Sequence, residues 1–213
     1  ISDQKDFKED HPLVPLTLYN KYKGLCEPIL LNYSDDNFTT VIFRPATVCG
    51  YAPRLRLDLS VNILTNHAFN NKKITVFGGN QLRPNLHIQD YCDVVKLLIE
   101  APKSKIHKQI FNVGYQNMSI GDLAKLVKNV VEKTSIEHSN IEIIRTESSD
   151  NRSYHINSDK INEILDFKPK HSIENAIKEL CEFFKSNKNY SKEDYFENDI
   201  FYNVKRIKNL ESN

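Results

Sequence analysis

At 213 residues, with 39% hydrophobic and 27% charged residues, the chain has the composition of a globular domain long enough to bury a sizeable core. Lys and Arg total 29 against 28 Asp and Glu, and a formal charge of +1 supplies no global field to draw the chain onto nucleic acid or anionic lipid. A mean hydropathy of -0.52, without any run of about 18 apolar residues, excludes a helical membrane-embedded protein.

The chain opens on Ile1, and residues 1–16 carry neither a signal-peptide apolar core nor a helix or strand period, so the opening reads as the middle of a longer polypeptide. Over 16–32, Leu18, Tyr22, Leu25, Cys26, Ile29 and Leu30 recur at helical spacing, with Pro28 expected to kink or locally unwind the helix. The β-branched run TTVIF at 39–43 predicts a strand ended by Arg44 and Pro45. Residues 45–57 read as a loop leading into a helix over 58–70, with Asp58 as its N-cap. A short strand over 74–77 is closed by Gly78 and Gly79, and 80–89 reads as irregular. A helix from Asp90 ends at Ala101 and Pro102, and a buried-type strand over 109–113 stops at Gly114.

Ser119 and Asp122 place a capping-box-like pair ahead of a helix running to about Lys133, and 141–144 reads as a strand. Helices are expected at 158–165 and 172–186, the second capped by Ser172. The aromatic tail from Asn187 is either a folded cover or a disordered end. Strands alternating with helical patterns argue for an α/β fold with parallel strands, and the helical final third for a second, smaller subdomain.

Cys26, Cys49, Cys92 and Cys181 form no CxxC pair and lie in apolar-patterned segments, which predicts reduced, buried thiols and a cytoplasmic setting. The six glycines build no GxGxxG or GxxxxGK loop. Tyr19 and Lys23 stand four apart on the first predicted helix and share one face. An ammonium beside a phenol favours the phenolate, which makes an acid/base pair; the alternative is a solvated Lys beside a half-buried Tyr. His87 and Asp90 have the look of a metal or acid/base pair, but a spacing of three without a third ligand predicts no metal.

The context of the Tyr and Lys narrows the reading. HPLVPLTLYNKYKGLCEP, with Glu27 one turn past Lys23, resembles the Y-x-x-x-K helix of the extended short-chain dehydrogenase/reductase family, the NAD-dependent sugar epimerase/dehydratase group. VIFRPATVCGYAPRLRLD resembles the strand and loop that close over nicotinamide and sugar in that group, and ITVFGGNQLRPNLHIQDYCDVV its segment of an Arg ahead of a His-x-x-Asp. QIFNVG resembles its late sheet strand, and SDNRSYHINSDKINEILDFKPKHSIENAIKEL its carboxyl-terminal pattern.

The resemblance implies the carboxyl-terminal part of a Rossmann-like parallel sheet with a smaller α+β substrate-binding subdomain. The implied division is the end of the NAD-binding domain over 1–50, a substrate loop and helices over 51–108, the late strand 109–114, the substrate-binding subdomain 115–186 and a tail over 187–213. It implies Tyr19 as catalytic acid/base and Lys23 as its partner on the nicotinamide ribose, with Ala46 and Val48 lining the nicotinamide. Thr47, Asn62, Arg83 and Arg152 are implied on the substrate side, the two arginines on a diphosphate, for which a planar guanidinium fork is suited. Glu27 is either a helix-surface carboxylate or part of the site, and the family is expected to use His87 and Asp90 structurally.

The implied cofactor is NAD, with NADP open, and the implied partner is a nucleotide-diphosphate sugar, with a homodimer of the full-length protein. Nucleic acid and membrane are not expected as partners. The family's glycine-rich amino-terminal part is not in this sequence, so this chain alone is expected to bind NAD poorly and to expose a sheet edge. The alternative is a non-catalytic module that binds a nucleotide sugar or a partner chain.

Overall fold

The computed structural model describes residues 6–134, 136–147 and 153–212. Its first helix, α1 (Leu18–Asn32), starts where the extended Thr17 accepts a hydrogen bond from the Asn20 N–H at 3.2 Å, and it runs through Pro28. Strands β1 (Val41–Pro45) and β2 (Thr47–Cys49) follow almost without interruption, then helix α2 (Ser60–Asn71), strand β3 (Lys73–Phe77) and strand β4 (Leu82–His87). Helices α3 (Ile88–Glu100) and α4 (Lys103–Ile106) lead to strands β5 (Gln109–Val113) and β6 (Gln116–Ser119). Helix α5 (Ile120–Thr134), strand β7 (Glu142–Thr146), and helices α6 (Asp159–Leu165) and α7 (Ile173–Ser186) come next, and the tail carries α8 (Asp194–Glu197) and α9 (Asn203–Glu211).

The fold is α/β, with parallel pairing in each of the three sheets among the described residues. β1 and β5 pair in parallel, from Val41 opposite Gln109 to Pro45 opposite Val113, and the Ala46 N–H carries the pairing one step further onto the Val113 carbonyl at 2.7 Å. β4 is the middle strand of a second sheet, parallel to β2 and antiparallel to β6. β3 and β7 form a third, parallel pair.

The core is divided among these sheets. Val61, Leu64 and Ala68 of α2, Leu123 and Val127 of α5, and Ile177 of α7 bury against Ile74 and Val76. Val94 and Leu98 of α3 and Ile161 of α6 bury against Phe111, Val113 and Ala46. Spacings of three and four residues put each set on one helical face, so burying that face is what holds the helix to its sheet.

Several expectations change. The stretch read as irregular contains β4, despite Pro84. Pro84 lies opposite Asn117 of β6 and ahead of the β2 pairing, which begins at Asn85, so its missing N–H breaks no ladder bond to β2. The 45–57 loop contains β2, and β6 is a third strand that turn residues and a short length disguised. Asp58 does not cap α2. Leu59 holds the cap position without a side-chain bond, and Asp58 instead accepts from Arg56 Nε at 2.9 Å and from the Asn203 N–H at 3.0 Å.

The helix starts at Ser119 and Ser172 match their sequence signals. Ser119 Oγ accepts from the Asp122 N–H at 3.0 Å, and Ser172 and Asn175 form a reciprocal capping box. The tail is a folded cover: Tyr195 and Phe201 bury against Leu55, Leu57, Leu180 and Phe184. Of the four cysteines, Cys49 and Cys181 are buried, whereas Cys26 and Cys92 are exposed, so the expectation of buried thiols holds for half of them.

Candidate active site

In parallel α/β sheets, ligands bind in the crevice beyond the carboxyl ends of the strands. Here β1 and β5 end together at Pro45 and Val113, and Ala46, Thr47 and Val48 follow directly. Ala46 is buried, while Thr47 and Val48 are half-buried on β2. The parallel register puts Thr47 opposite Asn85 on β4, and Arg83 lies two residues earlier on the same strand. The Arg83 guanidinium lies 5.3 Å from the centre of the Tyr154 ring, and its Nη1 donates to the Leu82 carbonyl at 2.9 Å. Adjacent strands therefore bring Thr47, Val48 and Arg83 into one region. Arg152 lies outside the described residues.

Tyr19 and Lys23 occupy the first two turns of α1 and both face solvent, Tyr19 at 71% exposure. Glu27, one turn further, is half-buried, and it accepts both arms of a fork from Arg44, Nε at 2.8 Å and Nη2 at 2.6 Å. The sequence reading passed over Arg44. A guanidinium inside an apolar strand has to find a carboxylate, and that requirement was the available signal.

Asn62 turns inward. It is 2% exposed, its Nδ2 donates to the Gly50 carbonyl at 3.2 Å and the Arg56 carbonyl at 2.9 Å, and its Oδ1 accepts from the Gly50 N–H at 3.0 Å. Both donors are spent on the 50–56 loop, so in this structure the amide braces the loop beside β2.

His87 and Asp90 do not converge on a common point. His87 Nδ1 accepts from the Gln89 N–H at 3.1 Å as the N-cap of α3, which leaves the proton on Nε2 to donate to Glu179 Oε2 at 3.1 Å. Asp90 accepts from the Lys170 and His171 N–H groups at 2.9 and 3.0 Å and from His171 Nδ1 at 2.9 Å, while the two imidazoles stack 4.9 Å apart. This network fastens α3 to α7 and to the 170–171 turn. Among the described residues no group of three or more His, Cys, Asp or Glu side chains is arranged to hold a metal. Cys49, next to the site on β2, is no thiolate nucleophile: burial, aided by Glu179 and Asp90, pushes its thiol up to about 12.

Comparison with known proteins follows the same lines. The model of the NAD dependent epimerase/dehydratase family matches residues 2–114. The chain is similar to the dTDP-glucose 4,6-dehydratase of Escherichia coli, 22% identical over 147 residues, which are 66% of this chain and 40% of that protein. A dTDP-glucose 4,6-dehydratase of an Actinoplanes species is 21% identical over 193 residues, 88% of this chain and 57% of the relative. The chain thus spans about half the length of these relatives.

Among solved structures, the dTDP-glucose 4,6-dehydratase of Bacillus anthracis in complex with NAD has a TM-score of 0.73 at 20% identity, over 91% of this chain and 60% of that one. The UDP-glucuronic acid 4-epimerase of Bacillus cereus in complex with UDP-glucuronic acid and NAD has a TM-score of 0.69 at 23% identity, over 85% of this chain and 57% of that one. These likenesses show a shared Rossmann-like fold. With the family model covering more than half of its residues, the chain belongs to the NAD dependent epimerase/dehydratase family.

Proposed function

We propose that the protein carrying this chain is an NAD- or NADP-dependent nucleotide-sugar epimerase/dehydratase. The observation that carries the reading is the Tyr19 and Lys23 pair, one helical turn apart at the amino end of α1, on a chain of this family. The residues present suit the nicotinamide-ribose end of the dinucleotide: an exposed phenol and ammonium, and the apolar side chains of Ala46 and Val48. That end is identical in NAD and NADP.

When bound, the nicotinamide supplies the acceptor for the hydride of a sugar carbinol carbon. An alcohol that loses hydride must also lose its hydroxyl proton, and Tyr19 takes that proton as phenolate and returns it as phenol. The Lys23 ammonium, one turn along the same helix, would hold the ribose hydroxyls. Arg83, together with Arg152 on the sequence pattern, holds the diphosphate, and Thr47 contacts the sugar. The unpaired cysteines support a cytoplasmic setting, and the exposed apolar face of α1 supports a homodimer of the full-length protein.

The test is turnover of dTDP-glucose or UDP-glucose by the full-length protein with added NAD. Tyr19→Phe is expected to lower kcat by about 10²- to 10⁴-fold, the usual worth of a general acid/base, while sparing sugar-nucleotide binding. Near-parental turnover by Tyr19→Phe sinks the assignment.

A further inference from the structure

Among the described residues, core packing buries no residue of α1. A polar junction ties it to the sheet. Arg44 is the fourth residue of β1, and the pair it forms with Glu27 is shielded, with side chains 22% and 15% exposed. Its third arm, Nη1, turns the other way and donates to the Glu9 carbonyl at 3.0 Å, while Glu9 Oε1 accepts from the Asn112 N–H of β5 at 2.7 Å. One guanidinium thus joins α1, β1 and the 6–11 segment, and through that segment β5. A bidentate fork fixes direction as well as distance, which a Lys ammonium does not.

The position of the fork matters for the residues ahead of it. The chain leaves α1 at Asn32 and enters β1 at Val41, yet Glu27 already reaches the carboxyl end of β1 at Arg44, so α1 runs back against the strand. At a rise of about 1.5 Å per residue, Lys23 lies about 6 Å and Tyr19 about 12 Å further along the axis. The drift of about 40° per four residues keeps all three within one broad stripe. Tyr19 therefore overhangs the strand end, on the side where an α/β sheet takes its ligand.

We infer that Arg44 is a positioning residue for the proposed reaction: its fork on Glu27 sets the height and rotation of α1, and with them the placement of Tyr19 and Lys23. This rests on the catalytic reading above. Loss of the fork shifts groups on α1 while the strand-borne Thr47 and Arg83 stay in place, so kcat should fall with little change in the KM of the sugar nucleotide. A misplacement of about 1 Å costs up to about 10²-fold in rate.

The experiment compares the full-length protein with its Arg44→Lys and Tyr19→Phe variants, using NAD and dTDP-glucose, and measures hydrogen exchange across 18–32 and across 123–131 of α5, which packs in a separate part of the core. Arg44→Lys keeps the charge and removes the fork. The expected result is a fall in kcat of about 10- to 100-fold, KM within about two-fold, faster exchange in 18–32 and unchanged exchange in 123–131. Unchanged kcat overturns the inference, and so does a loss accompanied by faster exchange in both segments, which marks general unfolding. If Tyr19→Phe keeps full turnover, the catalytic reading fails on its own. Exchange in 18–32 of Arg44→Lys then decides alone whether the fork holds α1, and unchanged exchange overturns it.

Discussion

Asn62 satisfies both backbone groups of Gly50 at once, accepting from its N–H at 3.0 Å and donating to its carbonyl at 3.2 Å, as a neighbouring strand would. Gly50 has φ +102°, a conformation that L side chains rarely adopt, and a Cβ there would meet His87 Nε2 at 3.0 Å. The chain leaves β2 along a path that only glycine fits, and the buried amide pairs the polar groups that the turn leaves over. Asn62→Ala strands those groups in the interior and should destabilise the fold by about 2 kcal/mol in urea denaturation. Gly50→Ala should destabilise it as well, through backbone strain. A change under about 0.5 kcal/mol for Asn62→Ala would show that water replaces the amide freely.

The acid side of the stability profile is set in part by His138. Its ring stacks on Phe69 with centroids 4.0 Å apart, and its buried Nδ1 has no hydrogen-bond partner among the described residues. Burial holds the imidazole below its ordinary value of 6.5, and the nearby Lys185 and Lys72 act in the same direction, while Glu137 opposes them. The unfolded chain therefore takes up a proton near 6.5 that the folded chain refuses until lower pH, and stability falls as pH drops from 6.5 toward the folded value. Above 6.5 the group contributes no slope. His67, lowered by burial, acts in the same window. Replacing His138 by Phe should flatten the urea midpoint below pH 6.5, and an unchanged slope would fault the assignment to this ring.

Thiol reactivity should divide the cysteines two and two. Cys26 and Cys92 are exposed on α1 and α3, whereas Cys49 and Cys181 are buried and burial pushes each thiol up to about 12. Since the thiolate is the reactive form, an aromatic disulfide reagent at pH 8 should release two equivalents quickly from the folded chain and two more only on unfolding. Four fast equivalents would mean that the core around Cys49 and Cys181 opens readily.

What the sequence revealed follows from how local each signal is. The helices carrying Val127 and Ile177 were legible because a long apolar stripe and a capping serine both lie within one stretch of chain. β2 and β6 were not, because strands of three and four residues owe their existence to β4 between them, a long-range pairing with no local period. That Tyr19 and Lys23 lie one turn apart on a single helix could be read from spacing alone. Arg44 could not be tied to Glu27, because 17 residues and a change of element separate them. The bonds of Asn62 were hidden for the same reason: a polar residue at the start of a helix shows no partner until the loop folds back over it.

The stripe that holds α1 to β1 is not the apolar one. Leu18, Tyr22, Leu25 and Ile29 recur at spacings of four, three and four, and about 130° of rotation separates their line from that of Tyr19, Lys23 and Glu27. With Glu27 turned to Arg44, the apolar line stays open, at 71%, 63%, 48% and 58% exposure, and Leu13, Val14 and Leu16 extend it with 51% to 65% of their surface exposed. A contiguous apolar surface of this kind seeks cover. Residues 1–213 expressed alone should therefore associate at micromolar concentration, seen as concentration-dependent mass in light scattering. The double change Tyr22→Lys with Ile29→Lys, which leaves the Arg44 fork and the core untouched, should shift the chain toward monomer. A parent chain that stays monodisperse and monomeric across that range would mean that this surface tolerates water, and the association assigned to it would have to be withdrawn.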